Sequence, residues 1–223
     1  MTSSRATIRV FHLGLLLALV AAAPVARAAD ATDDVTARTQ RARNGAGVLV
    51  STWQPDEPTG FLNSETPAFQ AYLQKGLDQH LAWENTLGYW QRTSKWSDTQ
   101  PLVGTTNHEL ETYLVPTITA LRLYPFDLPT TAIEPFVSAG VGPVLGVQQN
   151  KTTGGLSPVN ETTMHAGLGV RAGAGVVLHA SEAFGITAGG HFESASFGTD
   201  MVGNKLYQAW GVDLGLAYRF QYR

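Results

Sequence analysis

The chain has 223 residues and no cysteine, which excludes a disulfide framework and any metal site built on thiolates. Its 15 basic and 18 acidic side chains give a formal net charge of −3 at pH 7, so we do not expect a nucleic-acid partner. After the first 28 residues, the longest uncharged stretch is residues 135–150, which is broken by glycine and proline and is too short for a membrane-spanning helix.

The first 28 residues have the organisation of an export signal. Arg5 and Arg9 precede a short apolar run over residues 13–20, and residues 26–28 (Ala-Arg-Ala) are typical of a cleavage site. A retained membrane anchor is the alternative, but the apolar run is short for a spanning helix. Removal of residues 1–28 takes away three arginines and leaves 12 basic against 18 acidic residues, a net charge of −6.

Residues 29–44 are polar and have no apolar period, which predicts a flexible lead-in. From residue 45 to residue 223 the sequence divides into eight strand-like segments separated by turn residues. The predicted strands are Gly47–Gln54, Thr66–Lys75, His80–Arg92, Glu109–Tyr124, Ile133–Gln148, Thr163–His179, Ala183–Phe197 and Leu206–Phe220. Their connections alternate long and short, and this pattern with an even strand count is typical of bacterial outer-membrane barrels.

The last predicted strand shows the alternation most clearly. Its apolar parity is Trp210, Val212, Leu214, Leu216, Tyr218 and Phe220. The residues between them are mostly small or polar, so one face of the strand is apolar and the other is not. Only a closed barrel can satisfy all backbone groups in lipid without helices. We therefore predict an all-β fold, an eight-stranded antiparallel up-and-down transmembrane barrel over residues 45–223.

The same parity assigns faces to the other strands. In the fourth strand the faces are ambiguous, and we favour Val115, Thr117, Thr119, Leu121 and Leu123 outward, because this choice sends Arg122 inward. The outward set of the fifth strand is Val137, Ala139, Val141, Leu145 and Val147. Aromatic side chains at the strand ends predict two belts at the membrane interfaces. The predicted belts are Tyr124, Phe126, Phe136, Phe184, Tyr218, Phe220 and Tyr222 on the periplasmic side, and Trp53, Phe69, Tyr89, Trp90, Tyr113, Phe192 and Trp210 on the outer side.

Three segments have a family resemblance: VPTIT at 115–119, PFVSAGVGP at 135–143 and HAGLGV at 165–170. Together they resemble the small bacterial outer-membrane β-barrel family that includes OmpW- and OmpX-like proteins. The last strand also resembles the barrel-assembly signal of that class, although three residues follow it. The matching residues are Asp213, Gly215, Tyr218 and Phe220. The resemblance implies an outer-membrane location, contact with outer-membrane lipid and recognition by the barrel-assembly machinery, but not an activity, because this fold hosts many functions.

Polar residues on the inward parity are the candidate functional set. They are Glu84, Arg122, Glu134, Arg171, His191, Glu193, Asp213 and Arg219. Because the last three strands are neighbours, we expect Arg171, Glu193 and Asp213 to meet. Charges in such a lumen have to pair or hold water. A structural network and a narrow conduit for ions or small solutes both remain open, and the narrow interior of an eight-stranded barrel favours the network.

Two other functions are alternatives. A lipid-active enzyme resembling outer-membrane lipid A deacylases would use His191 and Ser194, but these two residues point to opposite faces of one strand, so we predict no catalytic residue. A soluble lipocalin-like barrel would need its large apolar residues inside. The six histidines are scattered, and we predict neither a metal site nor a cofactor. The sequence leaves the oligomeric state and any solute or binding partner open.

Overall fold

The structure is a computed structural model, and it describes residues 43–55, 66–78, 80–100, 104–126, 133–154, 159–181, 183–201 and 203–220. Eight strands follow one another along the chain. They are β1 (Gly45–Pro55), β2 (Thr66–Gly76), β3 (Leu81–Gln100), β4 (Gly104–Leu123), β5 (Ile133–Thr153), β6 (Val159–His179), β7 (Phe184–Met201) and β8 (Asn204–Arg219). Among the described residues, no helix is long and apolar enough to cross a membrane.

The strands form one closed barrel in chain order, with every neighbouring pair antiparallel. β1 closes the ring by pairing with β8, from Gly45↔Arg219 to Pro55↔Ala209. The predicted eight-stranded up-and-down barrel is confirmed. The predicted signal peptide, residues 1–28, and the lead-in as far as residue 42 lie outside the described residues.

We call the end of the barrel at Gly45 and Arg219 the terminal end and the opposite end the loop end. At the loop end several strands are longer than the sequence predicted. β3 and β4 stay paired as far as Gln100↔Gly104, and β5 and β6 stay paired as far as Thr152↔Val159. Much of the two loops predicted between these strands therefore forms extended hairpins. These extensions are mostly polar, and polar strands lack the apolar alternation by which strands are found in a sequence.

The outward faces of the strands are mostly apolar, and many of their side chains are exposed, as the parity predicted. In β4, Leu121 points outward with 49% of its surface exposed, whereas Arg122 points inward with 3% exposed. This resolves the ambiguous strand in the direction that we favoured. Val147 has the predicted outward parity but is only 6% exposed. It lies between its Cα partners Tyr113 on β4 and Met164 on β6.

The prediction of two aromatic belts was right for some rings and wrong for others. Phe126, Phe184 and Tyr218 are exposed at the terminal end, and Phe69 and Trp210 are exposed nearer the loop end. Four rings placed in the belts are buried instead: Trp53, Trp90, Tyr124 and Phe136. Their position along a strand suggested an interface, but their inward parity places them inside the barrel. Tyr222 lies outside the described residues.

The lumen is packed at both ends by these inward rings. Trp53 and Trp90 meet edge to face with ring centroids 4.9 Å apart, and with Leu114, Val144, Phe197 and Met201 they form an apolar plug toward the loop end. Tyr124 and Phe136 pack with Ala82 and Val177 toward the terminal end. The charged residues described next lie among and between these two apolar clusters.

Candidate functional site in the barrel lumen

Asp213 on β8 is the centre of a buried polar cluster. Its Oδ2 accepts hydrogen bonds from Arg171 Nη2 at 3.1 Å and from His191 Nδ1 at 2.9 Å. Its Oδ1 accepts a hydrogen bond from the hydroxyl of Ser51, its Cα partner on β1. The carboxylate therefore joins β1, β6, β7 and β8 across the seam where the barrel closes, and it has a partner on each side, as a buried charge requires.

The cluster continues to β2 through Gln70. The Gln70 amide donates to Ser51 Oγ at 3.0 Å and accepts a hydrogen bond from Arg171 Nη1. We call Ser51, Gln70, Arg171, His191 and Asp213 the Asp213 cluster. Gly211, the Cα partner of His191 on β8, makes room for it, because a side chain at that position would overlap the imidazole ring.

Of the three residues that we expected to meet, Arg171 and Asp213 form an ion pair, whereas Glu193 does not take part in it. It lies opposite Arg171 in the β6–β7 register, but the guanidinium reaches Asp213 instead. Glu193 is 3% exposed and has no ion pair with the described residues, and its Oε1 has no hydrogen-bond partner. It lines a cavity of about 10 Å³ together with Trp53 and Trp90, which is room for about one water molecule.

A second cluster surrounds Glu134 at the terminal end. Its carboxylate contacts Arg43 Nη1 at 2.9 Å, Arg219 Nη2 at 2.9 Å and His179 Nε2 at 3.1 Å. The guanidinium of Arg43 also lies over the Tyr124 ring, 3.8 Å from its centroid. We call Arg43, Glu134, His179 and Arg219 the Glu134 cluster.

A third polar contact, between Glu84 and Arg122, lies beside the Glu134 cluster. Arg122 Nη2 forms an ion pair with Glu84 Oε2, and its Nη1 donates to Gln74 Oε1 at 3.3 Å. The same guanidinium lies over the Phe136 ring at 4.0 Å, which adds a cation–π contact. Thr86 donates a 3.2 Å hydrogen bond to the other oxygen of Glu84. Four strands are joined by these contacts, namely β2, β3, β4 and β5.

All eight residues that we predicted for the lumen lie on inward positions, but sequence reasoning missed several of their partners. Arg43, Ser51, Gln70 and His179 all bond to predicted residues. Arg43 had been assigned to the lead-in, yet it has the same parity as the inward Leu49 and Ser51. Extending the alternation of the first predicted strand by four residues, from Gly47 to Arg43, would have found it.

The contacts of His191 and Ser51 do not make a nucleophile and base pair. A serine nucleophile needs a hydrogen bond to its base, whereas both side chains here bond to Asp213. Ser194 has the opposite parity to the inward His191, as the sequence indicated. Among the residues that the structure describes, no group of three His, Asp or Glu side chains is placed to hold a metal ion.

The lumen is narrow between these contacts. A cavity at the terminal end has a volume of about 40 Å³ and is lined by residues that include Arg43, Arg122, Glu134 and Arg219. This is room for a few water molecules. Side chains from opposite walls meet across the lumen in the Arg171–Gln70 and Arg43–Glu134 contacts. The apolar plug lies toward the loop end.

No protein-family profile matches the sequence, and no curated protein matches it. Among solved structures, the attachment invasion locus protein Ail of Yersinia pestis is similar at 12% identity, covering 80% of this chain and 98% of that chain with a TM-score of 0.48. A major outer membrane protein from Thermus thermophilus is similar at 12% identity, covering 79% and 99% with a TM-score of 0.47. The outer membrane protein OprG from Pseudomonas aeruginosa is similar at 12% identity, covering 81% and 98% with a TM-score of 0.41.

Proposed function

We propose that this protein is an integral outer-membrane β-barrel with a structural role, whose lumen is filled by a charged and polar network. The observation behind the proposal is the polarity of the closed barrel. Apolar side chains such as Leu214, 60% exposed, point outward from every strand, while the buried charges point inward. A soluble protein rarely exposes so continuous an apolar surface, whereas hydrocarbon is its natural surrounding.

The dimensions of the barrel agree with a membrane location. A tilted spanning strand needs about 9–11 residues, and the shortest strands, β1 and β2, have 11 residues each. Phe126, Phe184 and Tyr218 at the terminal end provide interfacial aromatic side chains, as do Phe69 and Trp210 nearer the loop end. With an even number of strands the terminal end faces the periplasm, and the longer hairpins of β3–β6 face outward from the cell.

The packed lumen favours a structural barrel over a pore. Conduction requires a continuous polar path, but the apolar plug containing Trp53 and Trp90 blocks the lumen toward the loop end. The Glu134 cluster and the Glu84–Arg122 pair block it again toward the terminal end. An eight-stranded barrel is only wide enough for its own side chains, and here those side chains occupy it.

The lumen supports neither a lipocalin-like carrier nor a deacylase-like enzyme. A lipocalin-like carrier has an apolar interior large enough for a ligand, whereas this lumen holds ion pairs around a cavity of about 40 Å³. A deacylase-like enzyme needs an accessible nucleophile beside its base. His191 is buried and bound to Asp213, so we assign it a positional role in the lumen and no catalytic role.

We also propose that the barrel-assembly machinery recognises β8. Tyr218 is exposed and lies 5.0 Å from the Phe184 ring and 5.7 Å from the Phe220 ring, which makes an aromatic patch at the terminal end. Gly215 faces β1, where a side chain would overlap the Val48 carbonyl oxygen. Asp213 anchors the lumen cluster. The four residues of the signal therefore also complete the seam between β1 and β8.

Cell fractionation followed by electrophoresis of unheated and boiled samples tests the proposal. A folded outer-membrane barrel is expected in the outer-membrane fraction and should change its mobility on boiling. Recovery of the protein in the soluble periplasm would contradict the membrane location. Planar-bilayer recording of the purified barrel then separates the structural role from a pore, because we expect no stable conducting state for the unmodified chain.

A further inference from the structure

A polar patch interrupts the apolar outer surface of the barrel on β3 and β4. Asn85 and Thr119 are Cα partners on these strands, and the Thr119 hydroxyl donates a 2.8 Å hydrogen bond to Asn85 Oδ1. Thr117 lies two residues further along β4 on the same face and is also exposed. We call Asn85, Thr117 and Thr119 the outer polar patch.

The outer polar patch lies at the depth of the bilayer interior. Asn85 is four residues from the terminal end of β3 at Leu81, and Thr119 is four residues from the terminal end of β4 at Leu123. A strand rises about 3.3 Å per residue and tilts by about 40°, so four residues climb roughly 10 Å along the barrel axis. The lipid-facing band of such barrels is about 25 Å tall, which places the patch near its middle.

Other strands are apolar at this depth. The outward positions of β5–β8 over the first eight residues from the terminal end are aliphatic or aromatic side chains, proline or glycine, as at Val212 and Leu214. Thr52 on β1 is polar, but its hydroxyl accepts a 3.4 Å hydrogen bond from the Val212 backbone N–H. The outer polar patch is thus local to one side of the barrel.

The patch has hydrogen-bonding capacity that hydrocarbon cannot satisfy. An asparagine side chain has two N–H donors and a carbonyl acceptor, and only the acceptor of Asn85 is used among the described residues. An unsatisfied amide in lipid is costly, and polar side chains on the lipid-facing surface of membrane proteins serve as contacts between proteins. The unused donors of Asn85 therefore favour a surface at which a protein partner supplies the missing hydrogen bonds.

We propose that the outer polar patch is the contact between two copies of this chain. The amide of Asn85 has two N–H donors, and the second lone pair of its Oδ1 and the threonine hydroxyl oxygens can still accept, so the patch is complementary to itself. A two-fold axis along the bilayer normal brings two identical patches together at the same depth. Nδ2 of each Asn85 then donates to an oxygen of the outer polar patch on the other copy. The inference rests on the proposed membrane function, because it needs hydrocarbon around the patch.

The absence of cysteine from the chain provides a direct test. Leu87→Cys places a single thiol two residues from Asn85 on the same face. Leu214→Cys places the control thiol at a similar depth on β8, across the barrel from the patch. After oxidation of isolated outer membranes, non-reducing electrophoresis should show a disulfide-linked dimer for the Leu87→Cys protein and little for the control.

Substitution of Asn85 in the Leu87→Cys background separates a specific contact from mere proximity. Asn85→Leu should lower the dimer fraction roughly five- to tenfold, as expected for two lost hydrogen bonds of membrane-protein strength, and Asn85→Gln should retain most of it. Equal cross-linking of the two thiols, or a dimer insensitive to Asn85→Leu, would overturn the inference. So would a heat-modifiable Leu87→Cys barrel in the outer membrane that yields no dimer. Recovery of the chain from the periplasm would instead refute the membrane function itself.

Discussion

Arg171 and Asp213 lie on strands that are not neighbours, and their side chains meet across β7, with 3.1 Å between Nη2 and Oδ2. Both side chains are largely buried, at 12% and 9% exposure. The pair has two consequences for the barrel. It balances two charges in the lumen, and through Ser51 and Gln70 it ties the last three strands to the first two.

Asp213→Ala should destabilise the barrel by about 3–5 kcal/mol, because it leaves the Arg171 guanidinium buried without its carboxylate. Replacement of both partners, Arg171→Met with Asp213→Leu, should recover much of this loss, because no buried charge remains. Urea unfolding of the refolded protein, followed by tryptophan fluorescence, measures the difference. A double variant as unstable as Asp213→Ala alone would mean that the ion pair is not what the single substitution disrupts.

Gly215→Val should prevent normal closure of the barrel. A Cβ atom at Gly215 would overlap the Val48 carbonyl oxygen of β1, and backbone atoms at the seam cannot move away as a side chain could. We expect a loss at or above the upper end of the roughly 1–3 kcal/mol typical of overpacking. Gly190→Ala is the matched control, because its Cβ would meet only the Gly211 oxygen at 3.4 Å.

The fraction of heat-modifiable protein in the outer membrane is the measurement for the seam. It should fall sharply for Gly215→Val and stay near that of the unmodified chain for Gly190→Ala. A normal yield of folded Gly215→Val barrel would show that the approach of β1 and β8 tolerates a side chain there.

The depth of each outward residue sets the cost of placing a charge on it. Leu214→Arg puts a guanidinium near the middle of the lipid-facing band, where it should cost about 2–4 kcal/mol. Leu206→Arg, on the same strand and the same outward face but near the loop end, should cost about 0–1 kcal/mol. Urea unfolding in lipid vesicles measures both values. Equal costs would contradict the assignment of the bilayer to this part of the barrel.

The sequence predicted the barrel because lipid demands a strict alternation. Strands such as β6 and β8 have to present apolar residues at every second position, and that period is visible without a structure. The sequence of the inward face is less constrained, since lumen residues need only fill the space and pair their charges. Neutral partners such as Ser51 and Gln70 gave no signal, and the destination of the Arg171 guanidinium depends on distances between non-adjacent strands. The predicted belts were wrong for Trp53 and Trp90, because these rings lie near strand ends but have inward parity.

The two blocks in the lumen lie in series, and this arrangement predicts how conduction depends on them. Trp53→Ala with Trp90→Ala removes the largest rings of the apolar plug but leaves the Glu84–Arg122 pair in place. We therefore expect planar-bilayer recordings of that double variant to show no stable open state. Addition of Glu84→Ala and Arg122→Ala removes the ion pair from the second block without leaving an unpaired charge. Brief open events should then become more frequent, because only the Glu134 cluster still narrows that end. Stable channels from the tryptophan variant alone would mean that the ion pair does not block the lumen.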